Sequence, residues 1–208
     1  QQDPYVLMII SSLIILGGLG FAVLTEVISG HHHRKFSLHT KVVLATTLTL
    51  LLGGTLLLAM AEWDNPLTIG NLPVGHRITN AWFQSVTTRT AGYFSFSQLG
   101  MEDTSKLLSS ILMFIGASPV STGGGIKTTT LFLLLALVST VVKGREDVVA
   151  YKRRLPIAIV RTALSIFVIF LGLALGGMML LSVWNRQFDI IDIMMEVSSA
   201  LGTVGLTS

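Results

Sequence analysis

Two short stretches carry the residue types of a carbonyl ligand set: Thr88-Arg89-Thr90-Ala91-Gly92-Tyr93-Phe94 and Leu201-Gly202-Thr203-Val204-Gly205-Leu206-Thr207. Each holds a Thr-x-Gly turn with successive backbone carbonyls, from Thr90, Ala91, Gly92 and Tyr93 in the first and from Thr203, Val204, Gly205 and Leu206 in the second. Such a row of carbonyls can replace the hydration shell of a cation, and the glycine admits the backbone angles that aim them to one side. A re-entrant packing turn without ion contact would use the same residues. Repetition favours the ion-binding reading: superposing Gly92 on Gly205 also brings Ser85 onto Ser198 and Thr90 onto Thr203, the mark of an internal repeat.

The elements around these turns read as membrane helices. Apolar residues make up 51% of the chain and charged ones only 12%, which places it in lipid rather than among soluble domains. Four apolar stretches, residues 5–28, 38–63, 107–142 and 156–184, approach or exceed the roughly 20 residues that a bilayer core requires. Each Thr-x-Gly turn follows a helix-like run too short to cross, 78–86 with Thr79 or Asn80 as N-cap and 189–199 with Asp189 or Asp192. The unit is therefore span, half-helix, Thr-x-Gly loop, span, and the fold class is an all-α polytopic membrane protein. Irregular backbone at membrane depth is tolerated only where protein buries it or water lines it. The negative C-terminal end of each half-helix points toward the loop it feeds.

At 1.5 Å per residue, the 107–142 stretch would measure roughly 54 Å as one helix, so it must be broken. The break is expected at 116–130, where Gly116, Pro119, Gly123, Gly124 and Gly125 interrupt the helix. Ser118, Ser121, Thr122 and Thr128 to Thr130 supply hydroxyls there. Such a loop is placed to obstruct a pathway and move aside, or to be a static kink. Lys127 adds a charge at a depth where insertion costs roughly 2.5–3.5 kcal/mol. It could repel a cation while the loop is closed, reach a carbonyl at the end of the first half-helix, or snorkel.

Charge sets the orientation. Eight of the 14 Lys and Arg fall in the loops 30–41 and 143–154, which makes that side cytoplasmic. The opposite side holds Asp3, Glu62, Asp64, Glu102, Asp103, Asp189, Asp192 and Glu196, either an acidic vestibule that concentrates cations or an ordinary solvated loop set. Glu196 would stabilise the second turn from behind or face polar neighbours, and Glu26 would pair with the basic loop. Arg89, inside a carbonyl row, would face away from a cation path and brace its loop; Arg161 would snorkel. Gly172 and Gly176 suggest a close helix-packing site. His31 to His33 and His39 lack an acidic neighbour for metal binding and read as solvated. With no cysteine, thiolate chemistry is excluded, and no catalytic or nucleotide-binding motif is present. The chain is not expected to be an enzyme.

The run from Phe83 to Gly92, the run from Gly116 to Thr130, the opening Gly17-Gly18-Leu19-Gly20-Phe21 and the closing Gly202 to Thr207 resemble the Ktr/Trk/HKT potassium-transporter superfamily, nearest to its bacterial KtrB-type membrane subunits. The resemblance covers nearly the whole chain. It implies four pore-loop repeats around one pore, of which this chain would supply 1–29 as the inner helix of a preceding repeat, 38–142 as a complete repeat and 156–208 as a further repeat without its inner helix. The segments 30–37 and 143–155 would be cytoplasmic loops. A further helix is expected after Ser208, and a chain opening Gln1-Gln2-Asp3-Pro4, without an initiator methionine, reads as a fragment. The resemblance further implies single-glycine filters, with Phe94 and Thr207 where a second glycine would stand, and an intramembrane gating loop at 116–127. It implies transported K⁺, Na⁺ as a coupling or activating ion, a homodimer, and a cytoplasmic KtrA-like ring of nucleotide-binding regulatory subunits. The site would be bacterial plasma membrane with the filters facing outward. An ion-coupled secondary transporter of another cation such as Na⁺ is the alternative, and inverted repeats would favour it.

Overall fold

A computed structural model describes residues 3–29, 36–145, 147–151 and 153–208. His31 to His33, and Arg34, Lys35 and Lys152 of the basic loops, lie outside the described residues.

Helix α1 (Pro4–Leu19) starts on Asp3, whose side chain accepts from Tyr5 N at 2.9 Å, with proline in its first turn. It is followed by α2 (Phe21–Ser29) at an angle of 101°. The expected continuous span 5–28 is thus two helices meeting at Gly20. The backbone groups released at the corner are taken up by the chain between residues 115 and 127: Ser118 N donates to Gly18 O at 3.1 Å, and Phe21 N to Val120 O at 3.2 Å. Glu26 turns toward the 30–41 loop, whose Arg34 and Lys35 lie outside the described residues. Its carboxylate accepts from Ser37 Oγ at 2.7 Å, and from Ser37 N and Thr40 Oγ1, at the start of the next helix.

Helix α3 (Leu38–Glu62) is capped by Ser37, which accepts from Thr40 N. At its far end Arg77 donates to Trp63 O (2.9 Å) and Leu72 O (2.8 Å), with its guanidinium 5.2 Å from the Trp63 ring centroid. Glu62, expected on the solvated acidic face, is only 1% exposed. It accepts from Asn65 Nδ2 at 2.7 Å, Thr68 Oγ1 at 2.5 Å and Glu102 N at 2.9 Å. Three donors satisfy its buried oxygens, and it staples the 62–68 turn to Glu102.

The first half-helix, α4 (Val74–Thr87), begins a turn earlier than expected because Pro73, with φ −58°, already sets the N-cap geometry. Thr79 and Asn80 therefore lie inside the helix and donate back to Gly75 O and His76 O. The third apolar stretch is broken as expected, into α5 (Asp103–Phe114) and α6 (Thr128–Val142). The interruption ends at Lys127, so Thr128 to Thr130 form the first turn of α6 rather than loop. A two-residue antiparallel hairpin, β1 (Val149–Ala150) with β2 (Arg153–Arg154), lies in the 143–155 segment, with Val149 paired to Arg154. Helix α7 (Ile157–Trp184) leads to the second half-helix, α8 (Ile190–Leu201), whose N-cap Asp189 makes no side-chain cap bond.

Among the described residues, α3 and α7 are long and apolar enough to cross a membrane, and the bent pair α1 and α2 makes a third span if counted as one. Helix α4 packs against α1 and α3, and α8 against α5 and α7. Helix α5 packs between α3 and α8: Leu112 joins the cluster of Leu58, Ile69, Phe96 and Met101, and the next residue, Met113, joins Met195, Val204 and Leu206. Close helix contact on α7 falls at Gly177, where a Cβ would lie 3.2 Å from Val197, whereas Gly172 and Gly176 face open space within the chain. Within the described residues the close approach on α7 is made by the glycine that faces α8.

Candidate functional site

Both half-helices end by turning their last carbonyls onto the Thr-x-Gly loops. Thr87 O accepts from Ala91 N (3.1 Å) and Gly92 N (3.3 Å), and Ser199 O accepts from Val204 N (2.9 Å). Hydroxyls of the same final turns hold the far side: Thr87 Oγ1 donates to Tyr93 O at 2.6 Å, and Ser199 Oγ accepts from Gly205 N at 3.0 Å. These two residues were missed in the sequence; a serine or threonine in the last turn before a Thr-x-Gly is the signal for them.

The backbone repeats along with the sequence. Thr90 and Thr203 both take positive φ, 71° and 54°, as do Gly92 and Gly205, 75° and 92°. A threonine in the left-handed region is uncommon and costs about 1–2 kcal/mol, so its occurrence at both equivalent positions shows that the same turn is imposed twice. The two loops touch: a Cβ on Gly92 would overlap Val204 O, while nothing lies within 4 Å of one on Gly205. A cavity of about 450 Å³ opens beside Thr90, Ala91, Tyr93 and Thr122, and another of about 430 Å³ beside Thr203, Val204, Gly205 and Leu206.

The glycine-rich loop from Ile115 to Lys127 is clasped at its ends by a parallel bridge between Ile115 and Ile126. Ser118 is fully buried and accepts at its carbonyl from Ser121 Oγ (2.6 Å) and at its hydroxyl from Thr128 Oγ1 (3.2 Å). Pro119 lies at the α1–α2 corner, and Gly116 and Gly125 lie back to back in the clasp. The tip meets both Thr-x-Gly loops. A Cβ on Gly123 would strike Thr90 Oγ1, and Gly124 N donates to Thr203 Oγ1 at 3.0 Å. Lys127 reaches a carbonyl, but that of Gly123 in its own loop rather than one of the first half-helix.

Charged side chains brace each Thr-x-Gly loop differently. Arg89 is 7% exposed and runs back to Thr47 O of α3 (Nη1, 3.5 Å) and Gly116 O (Nη2, 3.3 Å). Glu196 accepts from Thr207 Oγ1 and, at 3.2 Å, from Ser208 N, the bracing alternative of the two expected for it. Lys106 of α5 pairs with Asp192 of α8 at 2.7 Å. The hydrogen bond from Lys106 holds the Asp192 carboxyl below its ordinary range. Since that pKa is depressed on folding, the pair stabilises fully above the ordinary aspartate range and loses its effect as pH falls through the lowered value. A double-mutant cycle with Lys106→Met and Asp192→Asn, read by thermal unfolding in detergent, is expected to give a coupling of about 1 kcal/mol at neutral pH that vanishes in strong acid.

The family model for TrkH, described as a cation transport protein, matches residues 1–208. The chain belongs to this TrkH cation-transport family. Among its relatives, the potassium/sodium uptake protein NtpJ of Enterococcus hirae is 42% identical over all of this chain and 46% of its own length. The Ktr system potassium uptake protein B of Bacillus subtilis is 37% identical over 99% of this chain and 46% of its own. The crystal structure of the potassium transporter TrkH from Vibrio parahaemolyticus superposes with a TM-score of 0.73 at 19% identity, over 99% of this chain and 46% of that one. The fold is that of TrkH membrane transporters, and the resemblance to KtrB-type subunits stands. The chain spans about half the length of the curated relatives it matches.

Proposed function

We propose that this TrkH-family chain is part of a potassium-uptake pore in the bacterial plasma membrane. In this reading Thr90 to Tyr93 and Thr203 to Leu206 are two of the filter segments, facing outward. The glycine-rich loop is the gate, and transported K⁺ passes between carbonyls that the left-handed turns orient. The observation that carries the reading is the contact of one loop tip with the threonines of both Thr-x-Gly turns, through Gly123 and Gly124. A static kink has no reason to meet both turns, whereas an obstruction on a shared path does. The names of NtpJ and the Ktr protein support potassium as cargo, and the NtpJ name also suggests Na⁺ as a second cargo, coupling or activating ion. A homodimer on a cytoplasmic ring of nucleotide-binding subunits completes the proposal.

The test is complementation. The full-length protein, expressed in a host lacking its own potassium-uptake systems, is expected to restore growth at micromolar K⁺ and to take up K⁺ in preference to Na⁺. Growth rescue by Na⁺ transport without K⁺ uptake would favour the secondary-transporter alternative.

A further inference from the structure

Arg89 is a buried cation that the proposed conduction path does not use. Its backbone belongs to the first Thr-x-Gly loop, and its guanidinium ends at Gly116 O, at the base of the glycine-rich loop. Among the described residues no carboxylate lies within ion-pair distance of it. Its Nε is buried without a hydrogen-bond partner, as is the hydroxyl of Thr47 next to it. A buried charge served by only two long carbonyl contacts depends on each of them, because water cannot replace what is lost. Moving the base of the loop takes Gly116 O away and leaves Thr47 O alone.

Among the described residues, the second Thr-x-Gly loop has no such charged side-chain link. Superposition of Gly92 on Gly205 places Arg89 on Gly202, and there the chain lies so close to Met113 O that a Cβ would overlap it. Both loops are thus tied to the end of α5, one by direct backbone contact and the other through a long charged side chain. Only the second kind of tie can break while the turn itself persists.

We propose that Arg89 is a positioning residue that couples the first Thr-x-Gly loop to the closed position of the glycine-rich loop, by holding Gly116 O. The inference rests on the gate and filter reading above. Its test uses the full-length protein in proteoliposomes, comparing wild type, Arg89→Gln and Arg89→Lys, each with the loop intact and with residues 118–123 deleted. With the loop intact, Arg89→Gln is expected to raise K⁺ flux by up to about tenfold, the loss of one hydrogen bond to a charged group. Arg89→Lys, which keeps a charged donor, should stay nearer wild type. In the deleted background all three should agree within about twofold, and the K⁺ to Na⁺ flux ratio should not change.

An Arg89→Gln effect of equal size in both backgrounds, or a changed ion ratio at unchanged rate, would overturn the coupling while leaving the gate intact. If deletion alone fails to raise wild-type flux, the gate reading falls and the coupling falls with it. Should Arg89→Gln not reach the membrane, Arg89→Met, which also removes the donor to Gly116 O but leaves no unpaired polar group of its own, decides in its place: a rise confined to the intact loop supports the coupling, and no rise overturns it.

Discussion

Gly92→Ser in the full-length protein is expected to abolish potassium uptake, whereas Gly205→Ser is expected to retain flux with a weakened preference for K⁺. Both glycines sit at positive φ, 75° and 92°, so any side chain costs about 1–2 kcal/mol at either site. The difference lies in what the new Cβ meets. At Gly92 it overlaps Val204 O, the backbone of the other Thr-x-Gly loop, which cannot rotate away as a side chain would; at Gly205 it meets nothing within 4 Å among the described residues. One substitution therefore displaces both proposed filter segments and the other strains only its own. Uptake normalised to the amount of protein in the membrane checks this. Equal loss in the two variants would mean that the contact between the loops carries no weight.

Deleting residues 118–123 of the glycine-rich loop is expected to raise K⁺ flux by about tenfold or more, equivalent to about 1.4 kcal/mol removed from the closed state. The deletion removes Gly123 from Thr90 and shortens the reach of Gly124 to Thr203. It also removes the bonds that fill the α1–α2 corner, Ser118 N to Gly18 O and Phe21 N to Val120 O, so a lower thermal midpoint should accompany the faster flux. Ion flux into proteoliposomes, together with thermal unfolding of the same preparation, separates the two effects. Lower stability with unchanged flux would make the loop a static kink.

The sequence carried the order of the elements and the repeat, because both depend on local signals. A long apolar run, a short amphipathic helix and a Thr-x-Gly each announce themselves within a dozen residues. The left-handed backbone of Thr90 and Thr203 follows the same register that aligned them. What was not legible depends on contacts between distant segments. Nothing around Gly20 says that the first apolar stretch bends by 101°, since the bend is stabilised by Ser118 and Val120, far along the chain. Glu62 reads as a solvated acid until the turn at Asn65 and Thr68 folds over it. Gly177 rather than the Gly172 and Gly176 pair makes the close approach because the position of α8 decides which face of α7 is covered. Lys127 reached a carbonyl as one of three expected roles, but the loop curls back and presents its own.

The most direct test of the central claim, that the two Thr-x-Gly turns select the ion, is the K⁺ to Na⁺ flux ratio of the full-length protein in proteoliposomes, measured for wild type and Gly205→Ser. A ratio lowered by about tenfold, the equivalent of about 1.4 kcal/mol of lost discrimination, at unchanged protein content is the expected result. An unchanged ratio and an unchanged rate would contradict it.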